Sequence, residues 1–377
     1  MTAVGLIFSN IHDRSIPELT RIRTMASVPF GGRYRLIDFA LSNMVNSDIT
    51  KIGLITHYNY QSLLDHIGTG KDWDLARRGG GIKLLPPFIT AYAGGPSGQL
   101  YTSRLEAMLG VVNFIGRCTE EYIVLSDCDV ICNIDLSAVI ADHAKSGADV
   151  TFVTKTVDTD ALSFDEPLDV VRADANGRLT DFFRAKKPCG PAEVCTGIMV
   201  MKRAYLMSVL AEASAHGYTS FFRDVIARTI TSAYYRSYSY NGWYACISSM
   251  ESYFACSMQL LTAQARDGLF NIPNRPILTK VRNSAPAKYC EGANVTNSVV
   301  ADGCVIEGTV ENSILFRGVK VGRGSVIRNS ILMQDTYTGS NVSLNCVITD
   351  KDVMIRDNRV LSGHESMPFY IGKKGSV

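Results

Sequence analysis

The sequence predicts an α/β domain built on a mostly parallel sheet with helices on both faces, followed by a parallel β-helix. Three observations carry that expectation. From the start to about residue 262, short and nearly continuous apolar runs alternate with helical patterns. Residues 266–290, RDGLFNIPNRPILTKVRNSAPAKYC, are rich in Pro and Asn and read as a linker. Beyond them NSVV at 297, NSIL at 312, NSIL at 329 and NCVI at 345 recur at intervals of 15, 17 and 16 residues. The domains are therefore expected at 1–265 and 291–377, joined by 266–290.

The elements follow in order. AVGLIFS, KIGLITH, EYIVLSD and DVTFVTKTV are short and unbroken, as strands buried on both faces should be. IDFALSNMVNS, SRLEAMLGVVNFIG and DLSAVIADHAKSG are the helix candidates between them, the last with a polar start and a Gly stop. Such alternation implies right-handed crossovers, with ligands bound beyond the C-terminal strand ends. YYRSYSYNGWY reads as a strand packed on its neighbours. In the repeat region, small turn residues and paired β-branched side chains suit coils that stack an apolar side on the next coil.

Composition excludes several classes. The 377 residues are 46% hydrophobic and 20% charged, enough apolar matter for sizeable cores. A net charge of +2 argues against a nucleic-acid binder with a broad basic face. No run of about 18 apolar residues and no basic leader is present, so a soluble, cytoplasmic protein is expected. The ten cysteines form no C-x-x-C pair and read as reduced, apolar thiols. His57, His66 and His143 are expected to serve packing or solvation.

One strand end stands out. EYIVLSD runs into Asp127-Cys128-Asp129, two acids flanking a thiol where a metal or sugar site would lie.

The block VPFGGRYRLIDFALSNMVNSDITKIGLITHYNYQSLLDHIG at 28–68 closely resembles the bacterial glucose-1-phosphate adenylyltransferases. The similarity continues through WDLARRGGGIKLLPPF, KKPCGPAEVCTGIMVMK and GWYACISSMESYFACSMQLL into the repeats. The resemblance implies a nucleotidyltransferase-type α/β domain, a left-handed parallel β-helix and a tetramer supplying ADP-glucose for glycogen synthesis. Active members join glucose 1-phosphate to ATP, which calls for positive charge and Mg2+ around the phosphates.

Against the family's motifs, the catalytic positions look dismantled. Ser9, Asn10 and His12 stand where the glycine-rich loop has glycines, Asp13 adds a negative charge, and Arg14 matches only approximately. Met25 replaces the family's lysine. Cys128 and Cys246 fall on its two metal aspartates, with Ala245 at another lysine. A thiol is a poor ligand for a hard cation. Because side chains alternate along a strand, Asp127 and Asp129 are expected not to take over the position of Cys128. G-T-A-D-A becomes Ser103-Arg104-Leu105-Glu106-Ala107. No metal site is expected, and Mg2+ would belong to a catalytic partner.

The sugar-phosphate side keeps more. Arg33, Tyr101, Lys187 and Cys195 are the candidates for residual anion binding, with Asp224 and Glu251 as surviving acids. Lys186 reverses the charge of the family's glutamate. The resemblance then implies a modulatory subunit of the kind some Gram-positive bacteria pair with a catalytic homologue, deficient in catalysis alone and hetero-oligomeric. Two alternatives stay open: an active nucleotidyltransferase using Asp127 or Asp129 in a rearranged metal site, and a stand-alone sugar-phosphate sensor. An acyltransferase role for the repeats would want a coil histidine, and none lies between 217 and 363.

Overall fold

The computed structural model describes residues 1–77, 79–86, 101–159, 167–186 and 190–377. The N-terminal part is built on a nine-stranded sheet. Its parallel half runs Tyr122–Asp127, Ala3–Phe8, Lys51–Ile55, Gly81–Leu85. The other half is mainly antiparallel, apart from Tyr235–Ser239, which runs parallel to Val150–Asp158. Pro191–Lys202 lies antiparallel to both Tyr122–Asp127 and Val150–Asp158, and Leu168–Ala173 pairs antiparallel with Leu179–Ala185. The sheet is therefore mixed. An apolar run such as CTGIMVMK shows burial on both faces but carries no sign of direction.

Helices cover both faces. Leu36–Val45 and Leu136–Ser146 pack on one side, in a core with Ile7, Leu54 and Val124. Arg104–Gly110 and Arg203–His216 pack on the other, with Leu6, Ile123 and Met201. Alternation along each strand divides neighbouring residues between these two cores. YYRSYSYNGWY supplies the strands Tyr235–Ser239 and Tyr244–Cys246. No helix among the described residues is long and apolar enough to cross a membrane.

The C-terminal part is a left-handed β-helix of three parallel five-stranded sheets. The repeated Asn-Ser pair explains its coils. Asn297, Asn312 and Asn329 adopt left-handed backbone conformations (φ 40°, 46° and 45°), which Asn tolerates better than most residues. The serine after each asparagine bridges coils: Ser298 Oγ accepts from Ser313 N, Ser313 Oγ from Ser330 N, and Ser330 Oγ from Val347 N, each at 3.1 Å. In the fourth coil the left-handed residue is Cys346 (φ 51°), one place after Asn345.

Regular structure enters the span between the two parts from both ends. The helix Ala263–Leu269 runs past position 265, and Lys288–Tyr289 already pairs with Val305–Ile306 in the first β-helix sheet. Proline and asparagine mark turns but do not reveal which flanking residues find a partner strand. Both parts then share one core, in which Phe30, Leu36 and Tyr253 join Ile314, Ile331 and Ile348. Arg23 reaches across to Asp350 with bonds of 2.8 and 2.7 Å, both side chains at most 2% exposed.

Candidate active site

Asp127 is the last residue of Tyr122–Asp127, and Asp129 follows two residues on. Both carboxylates line one small cavity, of about 80 Å³, with His12, Cys195, Gly197 and Cys246. Cys128, between them, is 1% exposed and packs in the core with Ile7 and Val124. The position that the family motif aligns with a metal aspartate therefore points into the core. Alternation sends the thiol inward and leaves its two neighbours in the site. Burial, then the adjacent carboxylates, raises the Cys128 thiol well above its ordinary range, so it is an inert core group.

Two cations converge on the carboxylates. His12 Nε2 lies 3.4 Å from Asp127 Oδ2 and 3.6 Å from Asp129 Oδ2. Arg104, the first residue of its helix, places Nε 3.1 and 3.0 Å from the two Asp127 oxygens. Its Nη2 also bonds Asp127 Oδ2 and lies 3.5 Å from His12 Nε2. The Phe222 ring packs 5.3 Å from the guanidinium. Gly197, at φ +77°, permits this closeness, since a Cβ there would lie 2.6 Å from Asp127 Oδ2.

The charges are mutually adjusted. Burial disfavours charge on Asp127, but Arg104 and His12 outweigh it and hold the carboxyl well below the usual range. Burial likewise opposes charge on His12, and Asp129 and Asp127 overcome it, lifting the imidazole to about 9. Asp129 is raised, first by burial and then by Asp127, against the pull of His12. Cys246 donates to Asp129 Oδ2 at 3.6 Å, and Asp129 Oδ1 is buried without a partner among the described residues.

The remaining predicted residues are dispersed. Met25 is buried, and its backbone N–H donates to Asp13 Oδ1 at 2.6 Å. Asp13 therefore holds the loop rather than facing the cleft alone. Tyr101 packs against His57, ring centroids 4.6 Å apart. Asp224 accepts from the backbone of Thr219 and Ser220 at 3.0 and 2.9 Å, closing a turn. Glu251 sits in the first turn of Met250–Gln259, three residues after Ser248, which lines the small cavity. Lys187 lies outside the described residues.

Arg33 belongs to a different cavity. It lines a space of about 30 Å³ between the α/β part and the β-helix, with Arg35, Arg282, Arg317 and Lys351. Burial, then Arg35 and Arg23, lowers Lys351 to about 7. The small cavity shares His12, Arg104, Arg184 and Phe222 with a larger cleft of about 650 Å³ that also holds Arg14, Arg223 and Phe182. The roles of His12 and Arg104 were not visible in sequence, because residues 12, 104 and 127 meet only through the fold. The nearest signal was a cation at 104 within an otherwise small and polar motif.

His12, Asp127 and Asp129 each offer an atom, all within 4.8 Å of one another, which is the spacing of a cation site. The donor set does not fit a divalent ion, since a guanidinium already covers both oxygens of Asp127. What the arrangement provides is a buried charge network beside an arginine-lined cleft.

The family model for nucleotidyl transferases matches residues 16–262, and a model described as GlmU-like, C-terminal hexapeptide, matches 285–367. The chain belongs to the nucleotidyl transferase family, in the branch of the glucose-1-phosphate adenylyltransferases and GlgD. It is 34% identical to the glycogen biosynthesis protein GlgD of Bacillus subtilis over 99% of this chain and 96% of that one. It is 36% identical to GlgD of Geobacillus stearothermophilus, covering 86% and 82%. With the glucose-1-phosphate adenylyltransferase of Fervidobacterium nodosum it shares 30% identity over 96% and 86%.

Proposed function

We propose that this chain is a modulatory subunit in glycogen biosynthesis, without adenylyl transfer of its own, that assembles with a catalytic glucose-1-phosphate adenylyltransferase. The observation that carries this reading is Arg104 on Asp127: one of the two carboxylates that would hold a metal over the phosphates is already neutralised from within. The GlgD relatives, named for glycogen biosynthesis, support the pathway. A glucose-1-phosphate adenylyltransferase similar along almost the whole chain supports a common mode of assembly.

Modulation needs a place where a ligand or partner changes the balance between subunit states. The cavity between the two parts suits an anionic effector, because Arg33, Arg35, Arg282, Arg317 and Lys351 line it. Such an anion would touch both the α/β part and the β-helix and so bias their packing.

Co-expression with a catalytic homologue from the same genome tests the proposal. A mixed complex on size exclusion, with kinetics that differ from those of the catalytic chain alone, is the expected result. Two separate peaks and unchanged kinetics would contradict it. The clustering of His12, Asp127 and Asp129 favours one competing reading, an active enzyme with a rearranged site. Pyrophosphate release by the chain alone, abolished by Asp129→Asn, would establish that reading instead.

A further inference from the structure

We infer that Arg104 is a resident cation, bonded to Asp127 and beside His12 where a divalent ion shared with Asp129 would bind, so that removing this one side chain uncovers a metal site. The inference deepens the modulatory reading and rests on it for its biological meaning.

The geometry is specific. A divalent ion binds bare oxygen lone pairs and an imidazole nitrogen that carries no proton. Here the guanidinium bonds both oxygens of Asp127, Nε at 3.1 and 3.0 Å, and its Nη2 lies 3.5 Å from His12 Nε2. Arg104 is 11% exposed and Asp127 1%, so water contributes little to screening either charge. An arriving metal would have to displace a buried, forked ion pair and then sit beside the freed guanidinium. The rest of the shell is ready for a cation. Asp129 lines the same cavity, is 6% exposed, and its Oδ1 has no partner among the described residues. The three ligand atoms already lie within 4.8 Å of one another without any rearrangement. The guanidinium is also held from behind by the Phe222 ring, which fixes it on Asp127.

The test uses the full chain, with Mn2+ alone as the probe, titrated by calorimetry and by the paramagnetic signal of the free ion. Arg104→Met keeps an unbranched apolar stem and removes the charge that packs on Phe222. It should take up one Mn2+ per chain roughly 10- to 100-fold more tightly than the wild type, the range by which losing an outer partner changes metal affinity. Adding Asp129→Asn to Arg104→Met should abolish the gain, and Arg104→Lys should show none. Equal Mn2+ affinity in wild type and Arg104→Met would overturn the inference, as would folded Arg104→Met and Arg104→Ala that both fail to bind. Should a variant unfold in metal-free buffer, refolding on addition of Mn2+ supports the inference, and failure to refold counts against it. A chain that never assembled with a catalytic homologue would leave these titrations unchanged, so the two readings fail separately.

Discussion

At the residue scale, the site turns on which way three consecutive side chains point. Asp127 and Asp129 face the cavity, and Cys128 faces the core. Cys128→Asp would therefore not rebuild a metal site. It would bury an unpaired carboxylate among Ile7 and Val124, with an expected loss of at least ~3 kcal/mol in urea denaturation and no gain in Mn2+ binding. Asp127→Asn should cost about 3–5 kcal/mol by leaving the Arg104 guanidinium buried with a weaker partner. The Asp-Cys-Asp stretch was legible as the site, because acids at a strand end are unusual there. Which of the three side chains reach the cavity was not. Matching motifs places letters side by side, whereas the pleat decides which of them reach the cavity. Cys246, aligned with the family's second metal aspartate, comes within 3.6 Å of Asp129 through the fold.

At the scale of elements, the β-helix was legible because its signal repeats. Each Asn supplies a left-handed corner, and each following Ser supplies an acceptor for the next coil. Ser313 is fully buried, and its Oγ is the partner of Ser330 N. Ser313→Ala should therefore cost about 1–3 kcal/mol, the penalty of stranding a buried N–H, measurable as a lower melting temperature. The shift at Cys346 was not legible, since NCVI looks like one more Asn-led turn. The antiparallel strand Pro191–Lys202 was equally hidden, because strand direction depends on connections rather than on the run itself. Helices were clearer. DLSAVIADHAKSG forms Leu136–Ser146, with the Asp135 side chain accepting from Ser137 N and Ala138 N and Gly147 closing the C-terminus at φ 69°.

At the scale of the whole molecule, the two parts are fastened rather than tethered. Arg23 and Asp350 form a buried, forked pair, and Tyr370 joins Asp350 at 3.2 Å and the Glu18 carbonyl at 2.9 Å. Asp350→Ala should lower stability by about 3–5 kcal/mol and loosen the β-helix, read as faster amide exchange along Val347–Thr349. The neighbouring Lys351 makes the joint sensitive to pH. Its folded value of about 7 lies below the ~10.4 of a free lysine. Between those values the unfolded chain holds the additional proton, so this group makes stability rise with pH from about 7 to about 10. Lys351→Met should flatten that rise in denaturation curves taken across the interval. An anion bound beside Lys351 would raise its affinity for a proton, so anion affinity should fall as pH climbs above 7.

The central claim is that the chain's own cations close the carboxylate site to phosphate chemistry. The most direct measurement is pyrophosphate release by the purified chain with ATP, glucose 1-phosphate and Mg2+. The account predicts no release above background from the chain alone. Steady turnover that disappears with Asp129→Asn would contradict it.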